Sequence, residues 1–212
     1  PKDGALKIYD LCCGKSYLSF AVYYFLVEVM KRQVQLIGID IKRDVIEWCD
    51  TTARTLGYTG MTFIHDDITN VDKNEKVDMV ISLHACDIAT DIVLNTAARL
   101  EASVILSTPC CHRYMNGKIK NSALSFVTAY PQISIKLCEA FTDAIRLARL
   151  KSFGYTVAAK ELTDPENTPK NTLLVAVKGN YTAEKIDEYK REYDQILTYL
   201  FADKKNEYLA DL

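Results

Sequence analysis

The sequence has little glycine, proline and tryptophan, with 8, 5 and 1 of these among 212 residues. It has no low-complexity segment and no repeat beyond strand–helix units, which excludes fibrous and solenoid architectures. The most apolar run, residues 17–27, ends at Glu28 and is shorter than the roughly 18 to 20 residues that a membrane span needs. We therefore expect a buried helix there and no membrane partner.

The sequence also has no large excess of charge of one sign, because it contains 26 basic and 28 acidic residues and its net charge is -2. No overall basic field indicates a nucleic-acid partner, although a local patch remains compatible with one. The seven cysteines follow no signal peptide and do not form the dense framework of a small secreted domain. We expect reduced thiols in a cytoplasmic protein. The first residue is Pro1, which is compatible with a further domain N-terminal to it.

The segment KIYDLCCGKSYLSF, residues 7–20, predicts a strand, a tight turn and a helix. Ile8 and Tyr9 favour a buried strand, Asp10 closes it, and Tyr17 opens an apolar helix. In such a unit the N–H groups of the turn and the positive end of the helix dipole face outward together. The turn therefore predicts a ligand site.

Strands and helices alternate along the following hundred residues, which predicts a parallel sheet with helices on both faces. The next helix has Asp44 and Glu47 at capping-box spacing and Gly57 as its stop, and Thr142 is the predicted cap of a later helix. Predicted strands cover 34–41, 61–64, 77–83 and 104–107, and predicted helices cover 44–56, 88–100 and 141–151.

The alternation of strands and helices ends near the C-terminus. Strands at 155–162 and 172–177 are too close for a helical crossover, so they should pair antiparallel. Residues 113–121 indicate a mobile surface loop, 122–130 a short helix, and 181–212 one or two amphipathic helices packed on the domain or on a neighbour. The expected fold is a Rossmann-like, doubly wound α/β sheet, mostly parallel with a C-terminal antiparallel hairpin. We expect one domain over 1–180 and a helical extension over 181–212.

Residues 7–178 resemble a class I S-adenosylmethionine (SAM) dependent methyltransferase, which has seven strands. The resemblance rests on DLCCGKS at 10–16, GID at 38–40, DDI at 66–68 and the terminal hairpin. The usual first motif has three glycines at alternating positions. Here those positions hold Cys12, Gly14 and Ser16, of which only the glycine readily adopts a left-handed conformation.

Three further motifs are similar to the methyltransferase domain 32 group. They are SLHACD at 82–87, PCCH at 109–112 and TPKN at 168–171. A member of this group is expected to be an enzyme that transfers a methyl group from SAM.

The resemblance implies a SAM site at the C-terminal ends of the strands. Asp10 would lie near the methionine end of the cofactor, accepting from its ammonium group or fixing the loop. Asp40 would bind both ribose hydroxyls, which needs two free carboxylate oxygens. The other expected cofactor-binding positions are the backbone of Cys12 and Gly14, Ile41 beside the ribose, Asp67 with the Ile68 backbone at the adenine, and Ser82 or Leu83 at the methionine arm.

Each of these carboxylates also has a purely structural interpretation. Asp10 could cap the following helix, Asp40 could form a turn, and Asp66 or Asp67 could be solvated. Their occurrence in order at three strand ends favours the cofactor interpretation.

The acceptor is expected where the turns after the first, fourth and fifth strands converge. Methyl transfer is an in-line displacement, so the protein must position the acceptor and remove its proton where needed. His84 or Asp87 is the candidate for that role, because each follows the fourth strand. His84 could equally be a structural histidine.

The Pro109-Cys110 pair suggests Cys110 as an alternative catalytic residue, since cytosine-C5 methyltransferases use a thiolate nucleophile next to proline. Adjacent cysteines at a turn also arise from packing. Zinc is not predicted, because no C-x2-C pair accompanies the Cys-Cys-His run and neighbouring residues chelate one tetrahedral ion poorly.

RNA is the favoured acceptor, with a protein side chain or a small molecule left open. Loop cations could form a basic rim or could be ordinary solvated charge. They are Lys15, Lys42, Arg43, Arg113, Lys118, Lys120 and Lys170. Lys170 and Asn171 could touch substrate or satisfy the hairpin turn.

Two other functions remain. One is a catalytically inactive SAM-binding or scaffolding domain, which the altered glycine loop permits. The other is a Rossmann oxidoreductase, against which the final hairpin and the absence of a G-x-G-x-x-G turn argue.

Overall fold

The computed structural model describes residues 4–72, 74–83, 85–164 and 171–207. Its strands form one seven-stranded sheet in the order β3-β2-β1-β4-β5-β7-β6. The strands are β1 Leu6–Leu11, β2 Val34–Asp40, β3 Met61–His65, β4 Met79–Leu83, β5 Val104–Thr108, β6 Tyr155–Glu161 and β7 Thr172–Lys178. The first five pair in parallel, and β7 runs antiparallel to both β5 and β6. The predicted mixed sheet with a terminal hairpin is confirmed.

Helices cover both faces of the sheet. They are α1 Tyr17–Tyr24, α2 Arg43–Leu56, α3 Ile88–Arg99, α4 Ser125–Thr128, α5 Pro131–Ser152 and α6 Ala183–Phe201. A π-helical turn, Phe25–Val29, extends α1, and 3-10 segments occur at Ile68–Asn70, Ser122–Leu124 and Ala202–Glu207. Among the described helices, none combines the length and the apolar character that a bilayer crossing requires.

The core has two halves, one on each face, because successive strand residues point in opposite directions. Ile8 packs in the half that includes residues of α1 and α2. Its neighbour Tyr9 packs in the half that includes residues of α3 and α5. The alternation fixes the sheet between two helical layers and leaves the strand ends to form a site.

The helix predicted to be buried is exposed along one side. Tyr17, Tyr24 and Phe25 keep 66%, 53% and 52% of their surface accessible. On the other side Phe20 and Tyr23 are buried in the core, and four partly buried residues pack against it, namely Leu18, Val22, Leu26 and Val27. The prediction of a buried helix over 17–27 is therefore confirmed for one side only, since composition alone does not distinguish an apolar surface from a core face.

The predicted capping box of α2 is also wrong. The helix begins at Arg43, and Lys42 occupies the N-cap position without a side-chain cap. The Lys42 N–H donates instead to Asp40 Oδ1 at 2.9 Å. The predicted stop is confirmed, because Gly57 adopts a left-handed conformation with φ 71°.

The long helix α5 begins at Pro131, ten residues before the predicted start. Proline at the first position has the φ angle of a helix and lacks only an N–H that would have no partner there. Thr142 is not a cap: it is buried inside the helix, and its hydroxyl donates to the Cys138 carbonyl at 2.6 Å.

The segment 113–121 is not a purely superficial loop. Met115 is completely buried in a cluster with Cys138 of α5 and Leu200 of α6. The Lys120 N–H donates to the Leu200 carbonyl at 2.8 Å. The expected amphipathic helix α6 thus packs on the domain, while the division at residue 180 stays a prediction.

Candidate functional site

The turn after β1 has three residues in the left-handed region, at alternating positions. The φ angles of Cys12, Gly14 and Ser16 are 58°, 50° and 53°. The two non-glycine residues adopt this conformation at a cost of about 1 kcal/mol each. The turn therefore has the same sign of φ at all three positions where the resemblance expects glycine.

Asp40, at the end of β2, holds this turn. Its Oδ2 accepts from the Gly14 N–H at 2.9 Å, and its Oδ1 accepts from the Lys42 N–H at 2.9 Å. Neither oxygen is free, in contrast to the expectation for a ribose ligand, but each keeps further acceptor capacity. Asp40 thus joins the loops that follow β1 and β2.

Asp10 lies beneath the turn and is buried. Its Oδ2 accepts from the hydroxyls of Ser16 at 2.5 Å and Ser19 at 2.7 Å. Burial raises the pKa of this carboxyl from 3.8 to about 6, and the two serine hydroxyls oppose the rise. The structural interpretation of Asp10, as a tether for the start of α1, is what the geometry shows.

A first cavity of about 480 Å³ opens above these residues. Its size is that of a small-molecule or cofactor pocket. Five of the expected cofactor-binding residues line it, namely Asp10, Cys12, Gly14, Asp40 and Ile41. Lys15, Lys42, Leu83 and Cys86 line it as well.

Three other expected residues have structural contacts. Asp67 is exposed and caps the turn Ile68–Asn70, accepting from the N–H and the hydroxyl of Thr69 at 2.8 Å each, and these bonds lower its pKa. Ile68 is buried in the core. Ser82 is buried and donates to the Leu11 carbonyl at 2.8 Å. Of the two residues expected at the methionine arm, Leu83 lines the first cavity and Ser82 is not among its lining residues.

The turns after β4 and β5 meet, as predicted, and they bring three thiols together. The Sγ of Cys110 lies 3.5 Å from that of Cys86 and 3.7 Å from that of Cys111. We call these three residues the thiol cluster. Burial, followed by contacts with Cys86 and Cys111, raises the pKa of Cys110 to about 12. A thiol that stays protonated at neutral pH does not favour the nucleophile hypothesis.

A second cavity of about 420 Å³ lies beyond the thiol cluster. It is lined by Cys110, Cys111, His112, Arg113, Asn116, Ile135, Cys138 and Glu139. Cys86 lines the first cavity, whereas Cys110 and Cys111 line the second. The cluster therefore forms the boundary between the two cavities.

Of the expected catalytic residues, His84 lies outside the described residues. Asp87 has φ 52° and ψ -119°, an unusual conformation for a residue with a side chain. Its Oδ1 accepts from the Tyr114 N–H at 3.1 Å, and Asp87 lines neither cavity. Asp87 thus anchors the segment that closes one side of the second cavity.

Sequence reasoning missed a buried ionic network behind the second cavity. Arg146 on α5 binds both oxygens of Asp91 on α3, and it also donates to Asp143 and to the Asp87 carbonyl. Asp143 Oδ1 lies 2.9 Å from His112 Nε2. The only sequence signal was a set of charges on otherwise apolar helix faces, and it does not identify the partners.

Asn171, at the end of the hairpin loop, satisfies backbone groups rather than facing a cavity. Its Oδ1 accepts from the N–H groups of Leu162 at 3.1 Å and Thr163 at 2.6 Å, and its amide donates to the Thr163 carbonyl. The other residues of the TPKN motif, 168–170, lie outside the described residues. The turn interpretation of Asn171 is therefore the one that the contacts support.

Comparison with known families identifies the family of the chain. A family model described as a methyltransferase domain matches residues 1–118. The chain belongs to this methyltransferase domain family. The matched part includes the left-handed turn, Asp40 and all three residues of the thiol cluster.

Curated relatives of this methyltransferase domain are longer proteins. It is 25% identical over 198 residues to a "Glutathione S-transferase C-terminal domain-containing protein homolog" of Drosophila melanogaster, covering 80% of this chain and 32% of the relative. The chain thus spans about a third of the length of the curated relatives that it matches.

Solved structures share the fold of the methyltransferase domain. An rRNA methylase from Streptococcus thermophilus superposes with a TM-score of 0.53 at 14% identity, covering 84% of this chain and 89% of that chain. The magnesium protoporphyrin IX methyltransferase of Synechocystis PCC 6803 with bound SAH has a TM-score of 0.50 at 16% identity, covering 82% and 74%. The predicted class I methyltransferase fold is confirmed.

Proposed function

We propose that this methyltransferase domain binds SAM in the first cavity and transfers its methyl group to an acceptor held in the second. The observation that carries the proposal is the left-handed turn at Cys12, Gly14 and Ser16, clamped by Asp40. Two non-glycine residues adopt a costly conformation there, and backbone strain of this kind concentrates at ligand sites.

The first cavity offers suitable groups for each part of the cofactor. The remaining acceptor capacity of Asp40 suits the two ribose hydroxyls, and Ile41 supplies an apolar surface beside them. Asp10 carries the carboxyl that suits the ammonium group at the methionine end. Asp67 and the Ile68 backbone are proposed for the amino edge of adenine.

The acceptor must lie in line with the sulfonium–methyl bond. SAM supplies the methyl cation equivalent: the acceptor lone pair forms the new bond, the sulfur keeps the electrons of the broken bond, and S-adenosylhomocysteine leaves. The chain contributes orientation, exclusion of water and removal of the acceptor proton. His84 or Asp87 remains the proposed positioning or deprotonating residue. The thiol of Cys110 lies at the boundary that the methyl group would cross.

RNA remains the favoured acceptor. Lys15 and Lys42 line the first cavity and Arg113 lines the second, so cations are present on both sides of the proposed transfer point and suit phosphates. The rRNA methylase from Streptococcus thermophilus shares the fold, which supports this choice only by analogy. In the described structure none of the seven cysteines forms a disulfide, which supports action in a reducing compartment such as the cytoplasm.

Calorimetric titration with S-adenosylhomocysteine tests the cofactor proposal, with NAD⁺ titrated in parallel. We expect binding of S-adenosylhomocysteine alone. Asp40→Asn should weaken it by at least about tenfold, because an amide NH2 cannot accept at the second oxygen position. The matched control is Asp44→Asn, which removes the same charge from an exposed position that does not line the cavity.

Four results would contradict the proposal. Binding of NAD⁺ alone would favour an oxidoreductase. Binding of neither ligand would favour a scaffolding domain without the cofactor. Equal affinity of wild type and Asp40→Asn would show that the ribose does not bind Asp40. Binding without methyl transfer to any RNA, protein or small-molecule acceptor would favour the inactive SAM-binding alternative.

A further inference from the structure

The thiol cluster combines residues from two separate loops. Cys86 follows β4, and Cys110 and Cys111 follow β5. These strands pair in parallel with Leu83 opposite Thr108, so the loops leave the sheet side by side. The ligand atoms of the three cysteines all lie within 4.8 Å of one another. Adjacent Cys110 and Cys111, which sequence reasoning treated as a poor chelating pair, have their sulfurs only 3.7 Å apart.

The spacing of the sulfurs is compatible with one bound zinc ion. A tetrahedral zinc ion with Zn–S bonds of about 2.3 Å holds its sulfurs about 3.8 Å apart. Two of the separations in the cluster are 3.5 and 3.7 Å, and all three sulfurs lie within 4.8 Å of one another. Thiolates also favour zinc over the hard cations magnesium and calcium.

We propose that Cys86, Cys110 and Cys111 bind one Zn²⁺ ion as three thiolate ligands. Among the residues that the structure describes, no fourth His, Cys, Asp or Glu joins them, which leaves the fourth coordination position open to a ligand from outside this set. An open fourth position is the property that separates catalytic zinc sites from closed structural ones. Cys86 lines the first cavity and the other two line the second. The open position therefore lies where a ligand from either cavity has access to the metal.

Zinc binding at this site releases protons from the thiols. Each thiol loses its proton to solvent when its sulfur bonds to Zn²⁺, so occupation releases up to three protons and changes no oxidation state. Because protons compete with Zn²⁺ for the three sulfurs, zinc affinity should rise with pH.

Cobalt titration of reduced, metal-free protein tests the proposal. Co²⁺ adopts the same geometry and produces a thiolate-to-metal charge-transfer band in the near ultraviolet. We expect a band that saturates at one equivalent and disappears when Zn²⁺ is added. Competition against a chromophoric chelator then gives the zinc affinity.

Four single variants give the test its specificity. Cys86→Ser, Cys110→Ser and Cys111→Ser should each weaken zinc binding by more than about a hundredfold, beyond the loss caused by an outer-sphere partner. Cys138→Ser is the matched control, because this cysteine lines the second cavity but is not in the cluster. Cys86 is exposed, so its substitution keeps the test valid if a variant of a more buried cysteine fails to fold.

Absence of a cobalt band in reduced wild type, or equal affinity of wild type and Cys86→Ser, would overturn the proposal. A Cys86–Cys110 disulfide as the only change seen in the cluster, with no metal bound after reduction, would also overturn it. None of these measurements uses SAM, so failure of the zinc site and failure of the cofactor proposal are distinguishable.

Discussion

Arg146 on α5 donates to both carboxylate oxygens of Asp91 on α3, with Nε–Oδ1 at 3.1 Å and Nη2–Oδ2 at 2.8 Å. The two side chains are 1% and 5% exposed, so the pair is withdrawn from water. Charges on neighbouring Asp91 and Asp143 raise the pKa of Arg146 further despite its burial. This ion pair joins the two helices that pack behind the second cavity.

Loss of one partner of this pair should severely destabilise the protein. Arg146→Met leaves the carboxylate of Asp91 buried without its guanidinium, and we expect the free energy of unfolding to fall by about 3–5 kcal/mol. Urea denaturation monitored by circular dichroism measures the change. The control is the exposed pair Arg54–Asp50 on α2, where Arg54→Met should cost less than about 1 kcal/mol.

A double variant separates charge from packing. Arg146→Met combined with Asp91→Leu should lose less stability than the sum of the two single variants, because neither charge is then left buried alone. Additive losses would show that the two side chains are not energetically coupled.

The left-handed conformation of Gly14 predicts a loss of stability when the residue is replaced by alanine. Gly14→Ala should lower the free energy of unfolding by about 1 kcal/mol, because φ is 50° while the added methyl group meets no atom within 4 Å. Gly57→Ala is the matched control, since φ is 71° there and the space is equally open. Urea denaturation should show a similar loss for both variants.

Only one of the two glycine variants should change the affinity for S-adenosylhomocysteine. Gly14 lines the first cavity, so Gly14→Ala should weaken S-adenosylhomocysteine binding by about tenfold or more, whereas Gly57→Ala should not. Equal affinities in calorimetry would mean that the turn does not approach the cofactor.

The raised pKa of Asp10 predicts a pH dependence of stability. The carboxyl has a pKa of about 6 when folded and 3.8 as its ordinary value, so the folded state binds its proton more tightly than the unfolded state. The stabilisation is complete below about pH 3.8 and is lost as the pH rises through about 6. Relative to Asp10→Asn, which does not titrate, wild type should lose up to about 3 kcal/mol between pH 4 and pH 7.

Parallel urea titrations of both proteins at several pH values measure this difference. A constant difference across the range would show that the Asp10 carboxyl titrates normally in the folded state.

Asp67 allows a direct test of the proposed adenine contact. Asp67→Ala should weaken S-adenosylhomocysteine binding by about tenfold, the effect of one lost hydrogen bond to a ligand. Asp66→Ala is the control, because this neighbouring residue is also exposed and its side chain accepts local hydrogen bonds from the Asp67 N–H and the Asn70 amide. A loss of stability without a loss of affinity would make Asp67 only the cap of its turn.

Local patterns in the sequence predicted the sheet but not every helix boundary. Short β-favouring runs and the period of the helices gave the parallel strands, and the short spacer before β7 gave the hairpin. The start of α5 at Pro131 was missed because its first turns have exposed apolar residues, such as Ile133 at 52% and Ile135 at 39%, which obscure the amphipathic pattern. The proline itself was the available signal.

The candidate site was predictable where neighbours in sequence determine it. Residues 10–16 form the end of β1 and the turn that follows it, so the place of the turn at the strand ends followed from the motif. The Arg146–Asp91 pair spans 55 positions, and no local pattern specifies such a contact. For Asp40 the type of residue was informative, whereas its role in clamping Gly14 depends on how two loops approach each other.

The position of β7 has a consequence for how the chain folds. This strand lies between β5 and β6, although it is the last of the seven in sequence. Until residues 172–178 have left the ribosome, β5 has an unpaired edge whose Leu106 and Ser107 later pair with Val175 and Leu174. Unpaired apolar edges promote association between nascent chains. Any truncation before Thr172, including one at the end of the matched family region at residue 118, should therefore produce aggregates rather than a smaller folded domain.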